Sequence, residues 1–382
     1  MSELHVKAIE ETGFSPTERL VMLIIAGNCN CRCKYCYELF KKTAYMEMTT
    51  ARHLVRTEME AARLHGVKQL TFDFMGGEPL LNFPLIRDLS EWIWANSWPV
   101  EYQLICRTNG LLLNDEMRRW MQQNKHRITF GLSMDGLPEM HRLNRSEELP
   151  DLDFFMANWA EQPIKITLFR DSVHLLADTV IHWHKLGIPF TITPGDGFEW
   201  GADAEKDFEE QMDRLVAYYV KNSELKPVEP LFSDHFRRCF PEGEAAQERP
   251  MLCGNNTGIV AYDCDGTPYR CHMFTPLVQG AKAAELDKQL AHTIYAEIDS
   301  ACSECPARNV CRNCFGLNCR DFHSINISAT RKYACRIQKK SFCASAELYL
   351  KRQSARLDSG AVLSDEEKET ISLAIRAYDY FS

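Results

Sequence analysis

The 382-residue chain lacks three features that would place it in other classes of protein. It has no run of about 18 apolar residues, so we expect no membrane-spanning helix. It has no lysine- or arginine-rich run, and 44 basic against 53 acidic residues give a net charge of −9, so we expect no nucleic-acid partner. Its first residues lack the basic-then-apolar pattern of an export signal, which predicts a cytoplasmic protein.

Cysteine, in contrast, is abundant, with 16 residues. In a long chain without an export signal, clustered cysteines bind metal more often than they form disulfides. They fall into two groups, at either end of a long stretch that contains only Cys106 and Cys239. We expect Cys106, Cys239 and Cys343 to be buried apolar side chains and the two groups to carry the chemistry.

Between the two groups, short apolar runs alternate with amphipathic segments. The apolar runs predict six strands, at residues 20–26, 69–74, 102–107, 128–133, 164–169 and 190–193. Most are followed by a predicted helix, including residues 49–64, 85–95, 114–122 and 172–186. This alternation predicts an α/β fold with a parallel sheet, a partial (β/α)6 barrel of the TIM type, whose working residues follow the C-terminal ends of the strands.

The first cysteine motif, CxxxCxxC, directly follows the first predicted strand and consists of Cys29, Cys33 and Cys36. Three thiolates can hold one face of a [4Fe-4S] cluster and leave the fourth iron open. A zinc site that also uses Cys31 is the alternative. The motif resembles that of the radical S-adenosylmethionine superfamily, which implies that the open iron binds S-adenosylmethionine and that a 5'-deoxyadenosyl radical forms. Cys31 stands where relatives carry an apolar residue, so we expect it not to be a ligand.

Three later segments, each after a predicted strand, resemble other elements of that superfamily. Residues 76–79 resemble its GGEP element, residues 108–110 and 133–136 follow the third and fourth strands, and residues 131–145 are close to a segment of anaerobic sulfatase maturases. The resemblance implies that Asp135 contacts a neighbouring loop and that Arg145 pairs with a carboxylate. A turn cap at Asp135 and a surface ion pair at Arg145 are the alternatives. The implied cofactor-binding residues are Tyr37, Gly76, Gly77, Glu78, Pro79, Thr108, Asn109, Ser133, Asp135 and Arg145.

The second cysteine-rich region resembles a SPASM domain, which carries auxiliary iron–sulfur clusters. Its Asp-Gly pair at 265–266 predicts a hairpin that folds Cys271 back beside Cys253. Zinc remains an alternative on spacing alone, and the pattern departs from the family at Cys314 and Cys319. The resemblance implies two auxiliary [4Fe-4S] clusters and therefore three clusters in all. One would use Cys302, Cys305, Cys311 and Cys335, and the other Cys253, Cys271 and some of Cys264, Cys314 and Cys319.

The combination resembles enzymes that modify a peptide or protein. Residues 269–274 resemble the Tyr-Pro-Cys-His-x-Phe of maturases that crosslink ribosomal peptides, so we expect a thioether, carbon–carbon or carbon–oxygen crosslink. The alternative is oxidation of Cys or Ser to formylglycine, but sulfatase maturases place an acid where this chain has His272. A histidine can accept a proton near neutral pH, which makes His272 the candidate catalytic residue. A non-enzymatic iron–sulfur carrier or a zinc-stabilised interaction module is the third class.

The resemblance also implies partners and domain limits. The cluster would be reduced by flavodoxin or ferredoxin. About 20 residues precede the first strand, too few for a leader-binding winged domain, so a separate protein would bind a leader. We predict a barrel at 18–222, a bridge at 223–250, the auxiliary-cluster domain at 251–345 and C-terminal helices at 346–382, including helices at 347–356 and 365–378.

Overall fold

The computed structural model describes residues 18–240, 258–289, 300–311, 314–324, 326 and 331–382, with the backbone alone at 300–301, 309 and 331–333. Its strands are β1 (Glu18–Ala26), β2 (Gln69–Gly76), β3 (Glu101–Thr108), β4 (Thr129–Leu132), β5 (Ile164–Leu168), β6 (Phe190–Pro194), β7 (Ile259–Tyr262) and β8 (Pro268–Tyr269). Its α-helices are α1 (Met48–Leu64), α2 (Phe83–Trp94), α3 (Asp115–Gln123), α4 (Pro138–Asn144), α5 (Leu152–Asn158), α6 (Leu176–Leu186), α7 (Ala202–Lys221), α8 (Pro276–Gln279), α9 (Ala283–Gln289), α10 (Ser300–Ser303), α11 (Phe315–Phe322), α12 (Arg331–Asp358) and α13 (Asp365–Phe381).

The described residues divide into two compact units. The first comprises those within 1–134, 145–164 and 253–294, and the second those within 135–144, 165–252 and 295–382. These units group residues that are in contact in space, not segments of the sequence. The domain limits expected from the sequence therefore remain a prediction.

The sheet of the first unit has the order β4-β3-β2-β1-β7-β8, and its first five strands run parallel. Val21 pairs with Phe72 and Phe72 with Leu104, so the buried side chains of neighbouring strands lie in register. Because the strands are parallel, the C-terminal ends of β1 to β4 meet at one edge of the sheet, where the predicted motifs begin. The α/β class with a parallel sheet is confirmed.

All six predicted strands are present, but they do not form one hydrogen-bonded sheet. β5 and β6 pair with each other in a separate two-stranded sheet that belongs to the second unit. A carboxylate oxygen of Asp135 accepts the backbone N–H of Thr167 on β5 at 3.0 Å. This N–H is therefore hydrogen-bonded to a side chain and does not need a carbonyl of a neighbouring strand as its acceptor.

The hairpin of the second cysteine region belongs to the first unit, which the sequence did not predict. The Asp-Gly turn is present: the N–H of Gly266, at φ +85°, donates to the carbonyl of Asp263 at 2.8 Å. The first strand of this hairpin, β7, lies parallel to β1. A buried network holds it there, because Tyr262 donates to Glu58 on α1 and Glu58 also pairs with Arg19 on β1 at 2.7 Å.

In the second unit, a core of small and aromatic side chains joins α12 and α13 to residues 236–239, with Phe236, Phe342 and Ala374 among its buried members. The predicted helix 347–356 is wrong in its limits, since α12 begins at Arg331 and ends at Asp358. The helix extends further because residues 331–358 contain no glycine or proline to end it. No described helix is long and apolar enough to cross a membrane.

Candidate functional site

The loop between β1 and α1, residues 27–47, is called the cluster loop below. The N–H of Gly27 donates to the carbonyl of Ala44 at 2.8 Å, and the N–H of Lys42 donates back to the carbonyl of Gly27 at 2.9 Å. These bonds close the loop into a compact turn at the C-terminal end of β1. Cys29, Cys33 and Cys36 lie on it and are all half-buried, which keeps their thiols accessible.

Cys31 differs from these three cysteines because it is buried. Its N–H donates to the sulfur of Cys29 at 3.3 Å, and its thiol also donates to that sulfur. This thiol hydrogen bond is the main reason that the pKa of Cys29 falls to about 6, while the same bond raises the pKa of Cys31. Because cysteine binds iron as a thiolate, the lowered pKa of Cys29 fits its predicted role as a cluster ligand beside Cys33 and Cys36.

Gly76 and Gly77 bring the end of β2 against the cluster loop. A Cβ on Gly76 would lie 2.1 Å from the carbonyl oxygen of Ala26, and one on Gly77 would lie 2.3 Å from that of Asn28. The N–H of Gly77 donates to Ala26 at 3.0 Å. The glycines therefore permit close contact between the chain's own backbone segments at the base of the cysteine motif.

Glu78 and Pro79 complete this element, and Glu78 connects it to the end of β3. The Glu78 carboxylate is buried and accepts the Thr108 hydroxyl at 2.6 Å, the Asn109 N–H at 2.8 Å and the Leu80 N–H at 3.0 Å. Burial nevertheless raises the pKa of Glu78 to about 7. The side chain fixes the two strand ends relative to each other.

Asn109 reaches from the end of β3 to the cluster loop. Its Nδ2 donates to Oδ1 of Asn30 at 2.8 Å and lies 4.0 Å from the sulfur of Cys29. Its Oδ1 accepts the N–H of Leu111 at 3.0 Å, which orients the amide. The third strand therefore places a polar side chain beside a predicted cluster ligand.

Arg145 joins the end of β4 to the same loop. Its Nε donates to the hydroxyl of Tyr35 at 2.5 Å, and its Nη1 donates to the carbonyl of Ser133 at 3.1 Å. These two bonds hold the Arg145 side chain against the cluster loop. Asp135 belongs to the second unit instead, where its carboxylate accepts Thr167 N and Asn144 Nδ2.

The candidate catalytic residue lies on the turn after β8. The imidazole of His272 and the ring of Tyr37, which follows Cys36, have centroids 5.6 Å apart. Cys271 is half-buried, whereas Cys264 is buried and directs its thiol towards the carbonyl of Ala44 at 3.6 Å. Burial raises the pKa of Cys264 to about 12. The hairpin therefore brings His272 and Cys264 to the cluster loop.

The remaining predicted cysteine ligands within the described residues belong to the second unit. Burial raises the pKa of Cys311 to about 12, and the next contributions come from Cys335, Cys305 and Cys302. The four cysteines of one predicted auxiliary cluster thus lie within electrostatic reach of one another. Cys314 directly precedes α11, and Cys319 is buried within it. Cys253 lies outside the described residues.

Within the described ranges, no three His, Cys, Asp or Glu side chains are grouped closely enough to hold a metal ion.

Two features near the site were missed from the sequence. Asp73 on β2 is fully buried and pairs with the half-exposed Arg107 on β3 at 2.5 Å. Lys41 donates to the sulfur of Cys36 at 2.9 Å and to the carbonyl of Glu38 at 2.7 Å. Two features of the sequence could have indicated the first pair. They are an acidic residue inside an apolar strand and an arginine directly before Thr108.

Comparison with known proteins agrees with this geometry. Residues 18–144 match a family of single-cluster 4Fe-4S domains. A serine-type anaerobic sulfatase-maturating enzyme of Klebsiella aerogenes is 32% identical over 243 residues, which are 63% of this chain and 51% of that protein. A radical SAM cyclopropyl synthase of Paramaledivibacter caminithermalis is 25% identical over 138 residues, 32% of this chain and 28% of that protein. The chain is therefore similar, over part of its length, to enzymes that include a radical SAM enzyme.

Solved structures with a bound peptide share the fold. The structure of anSMEcpe with bound AdoMet and the Cp18Cys peptide has a TM-score of 0.61 at 17% identity, over 90% of this chain and 99% of that chain. Streptococcus suis SuiB bound to its precursor peptide SuiA has a TM-score of 0.54 at 13% identity, over 82% of this chain and 75% of that chain. The chain spans less than half the length of the first curated relatives that it matches.

Proposed function

We propose that this chain is a radical S-adenosylmethionine enzyme that abstracts a hydrogen from a ribosomally made peptide and installs a crosslink, either a thioether or a carbon–carbon or carbon–oxygen bond. The observation that carries the proposal is the position of His272. The residue that follows Cys271 in the crosslinking-maturase-like segment lies against Tyr37 of the cluster loop. This position supports a role for His272 as a proton acceptor near the cluster loop.

In this proposal, Cys29, Cys33 and Cys36 hold the catalytic [4Fe-4S] cluster. When bound, the cluster and S-adenosylmethionine supply a 5'-deoxyadenosyl radical that removes a hydrogen from the substrate. The chain's own contribution is to orient these groups: Asn109 and Arg145 already contact the cluster loop, and the Arg145 guanidinium suits the planar carboxylate of the cofactor. Tyr37, residues 76–79, Thr108, Ser133 and Asp135 complete the proposed cofactor-binding set.

Two further [4Fe-4S] clusters, three in all, are proposed for the cysteine-rich region. Cys302, Cys305, Cys311 and Cys335 would hold one, which their mutual electrostatic influence supports. Cys253 and Cys271, with some of Cys264, Cys314 and Cys319, would hold the other. An auxiliary cluster with an open iron could bind a substrate thiolate and accept the electron left after bond formation.

His272 would take up the proton released from the substrate. Its carbonyl accepts the hydroxyl of Thr275 at 2.7 Å and the N–H of the same residue at 3.2 Å, so the backbone that carries the imidazole is fixed. An imidazole changes charge near neutral pH, which suits a proton acceptor in the cytoplasm.

Formylglycine formation is the second candidate. The match to a serine-type sulfatase-maturating enzyme favours it, because that match extends over 63% of the chain. The histidine at position 272, where that family has an acid, favours crosslinking. A flavodoxin or ferredoxin would supply electrons for both crosslinking and formylglycine formation. In crosslinking, a separate leader-binding protein would present the peptide.

The test is the intact mass of a small peptide encoded beside the gene, after anaerobic co-expression with the enzyme. We expect the peptide to lose the mass of two hydrogens. If the crosslink is a thioether, one cysteine should be protected from alkylation, and if it is a carbon–carbon or carbon–oxygen bond, the cysteines should still react. Co-expression with a variant in which Cys29, Cys33 and Cys36 are alanine is the control, and its peptide should be unmodified. An unmodified peptide together with a sulfatase that gains a carbonyl-reactive aldehyde would contradict crosslinking and favour formylglycine formation.

A further inference from the structure

One face of the parallel sheet in the first unit is open. From residue 103 to the end of β3, buried side chains alternate with others that are wholly or partly exposed, namely Gln103, Ile105 and Arg107. The strands on either side contribute further partly exposed residues to the same face: Thr71, Met75, Thr129 and Gly131. We call these seven residues, together with Asp73, the open sheet face. Parallel sheets are normally covered on both faces, so the open sheet face leaves room for a ligand against the strands.

An ion pair lies on the open sheet face. Asp73, which is opposite Ile105 in the register of β2 and β3, is fully buried and accepts Nη1 of Arg107 at 2.5 Å. The side chain of Arg107 itself is 49% exposed. Burial of a carboxylate is costly unless it is paired, and the pairing here also fixes a long side chain that would otherwise sample several rotamers. Asp73 therefore orients the guanidinium of Arg107.

Most of the hydrogen-bonding capacity of Arg107 is not used by the protein. A guanidinium carries five N–H donors. Among the residues that the structure describes, Asp73 is the one acceptor within hydrogen-bond distance of this guanidinium. The residue opposite Arg107 on β4 is Gly131, so β4 places no side chain beside it at this position. A planar fork of donors that is fixed and still accessible suits a second carboxylate, which it can bind with two parallel bonds.

The pair lies close to the cluster loop and to the candidate catalytic residue. Burial raises the pKa of the Tyr37 hydroxyl, and smaller contributions come from the charges of Arg107 and Asp73, so both groups are within electrostatic reach of Tyr37. The ring of Tyr37 also lies 5.6 Å from the imidazole of His272. A group bound by Arg107 would therefore be near the proposed proton acceptor.

We propose that Arg107 binds a carboxylate of the substrate peptide and thereby selects peptides that carry this group close to the residue that reacts. The carboxylate belongs either to an acidic side chain or to the C-terminus of the peptide. This inference rests on the proposed function. Arg145 is the arginine proposed for the carboxylate of the cofactor, so the two arginines serve different ligands. Asp73 is a positioning residue, because it acts through Arg107.

The test is a double-mutant cycle between Arg107 and the peptide, which isolates the interaction of the two groups. The probe is the small peptide encoded beside the gene, made unchanged, with each acidic side chain replaced in turn by its amide, and with an amidated C-terminus. Its dissociation constant is measured anaerobically with the cluster-loaded wild-type enzyme and with Arg107→Gln. Arg118→Gln is the matched control, since Arg118 is another partly exposed arginine of the first unit and pairs with Asp151 at 2.6 Å.

One amide peptide should bind the wild type and the control about tenfold more weakly than the unchanged peptide does, because a charge-assisted hydrogen bond is lost. Arg107→Gln should bind the unchanged peptide about tenfold more weakly and that amide peptide with no further loss. Arg107→Lys should recover part of the affinity, because lysine keeps the charge without the planar fork. Asp73→Asn should reduce the dependence on the carboxylate, which a purely structural role would leave intact. The amide peptide that shows the effect identifies the side chain or the C-terminus as the ligand.

Equal losses on amidation in the wild type and in Arg107→Gln would overturn the proposal, because the carboxylate would then be bound elsewhere. Wild-type affinity that is unchanged by every amide substitution would also overturn it. A peptide that binds through Arg107 but is not crosslinked by the wild-type enzyme would instead contradict the proposed function, and it would leave the role of Arg107 supported, since binding requires no turnover.

Discussion

The ammonium group of Lys41 lies 2.9 Å from the sulfur of Cys36. The same group donates to the carbonyl of Glu38 at 2.7 Å, so it is held in place by two acceptors on the cluster loop. Hydrogen bonds and positive charge at ligand sulfurs help to set the reduction potential of an iron–sulfur cluster. Lys41 is therefore positioned to tune the cluster that Cys36 is proposed to hold.

Replacement of Lys41 by methionine should lower the reduction potential of that cluster, because a bond that stabilises the additional negative charge is lost. The expected shift is on the order of 50 mV, the equivalent of about 1 kcal/mol for one electron. A redox titration followed by electron paramagnetic resonance measures it. Lys68→Met, at an exposed lysine directly before β2, is the control, and an equal shift in both variants would exclude a specific role for Lys41.

Cys31 should be dispensable for holding the cluster, although it lies between two proposed ligands. The Cys31→Ala variant should keep the iron of the N-terminal site, because Cys31 is buried and donates to Cys29. Cys29→Ala should lose that iron. Iron analysis after anaerobic reconstitution, in a background that lacks the auxiliary-site cysteines, distinguishes the two. Equal loss of iron in both variants would make Cys31 a ligand.

Gly77 should tolerate no side chain. A Cβ there would lie 2.3 Å from the backbone oxygen of Asn28, so Gly77→Ala must displace the cluster loop. We expect a cost of about 3 kcal/mol or more, a lower melting temperature and poor incorporation of the N-terminal cluster.

Gly131→Ala on β4 is the matched control for Gly77. The nearest atom to its new Cβ would be 3.6 Å away, which is an ordinary van der Waals contact. This variant should therefore have the same melting temperature and the same content of the N-terminal cluster as the wild type. Equal melting temperatures for the two variants would show that the contact between β2 and the cluster loop is not fixed.

The cysteine-rich region should bind iron independently of the catalytic site. The triple alanine variant of Cys29, Cys33 and Cys36 should keep most of its iron, because Cys302, Cys305, Cys311 and Cys335 remain to hold a cluster. Metal analysis of the anaerobically purified variant measures this. Zinc in place of iron would contradict the assignment of auxiliary iron–sulfur clusters. It would indicate that the cysteines of this region form a zinc site instead.

The sequence predicted the features of this molecule that depend on neighbouring residues. The strands β1 to β6 follow from short apolar runs, and the motifs at Cys29, Gly76, Thr108 and Ser133 each follow a strand, so a parallel sheet brings them to one edge. The Asp-Gly hairpin was predicted for the same reason, since two residues define its turn.

The parts that were missed depend on residues far apart in the chain. The position of β7 beside β1 is fixed by Tyr262 and Glu58, which are 204 residues apart. The Asp73–Arg107 pair requires the register of β2 against β3, which alternation along a single strand does not define. The bond of Lys41 to Cys36 depends on how the cluster loop turns back on itself.

The central claim is that this chain uses S-adenosylmethionine as a source of radicals, and the direct measurement is the formation of 5'-deoxyadenosine. The reconstituted enzyme is incubated anaerobically with S-adenosylmethionine and dithionite, and the product is quantified by mass spectrometry. We predict 5'-deoxyadenosine from the wild-type enzyme and none from the variant in which Cys29, Cys33 and Cys36 are alanine. Intact S-adenosylmethionine after incubation with a wild-type enzyme that has been shown to carry a reduced cluster would contradict the account.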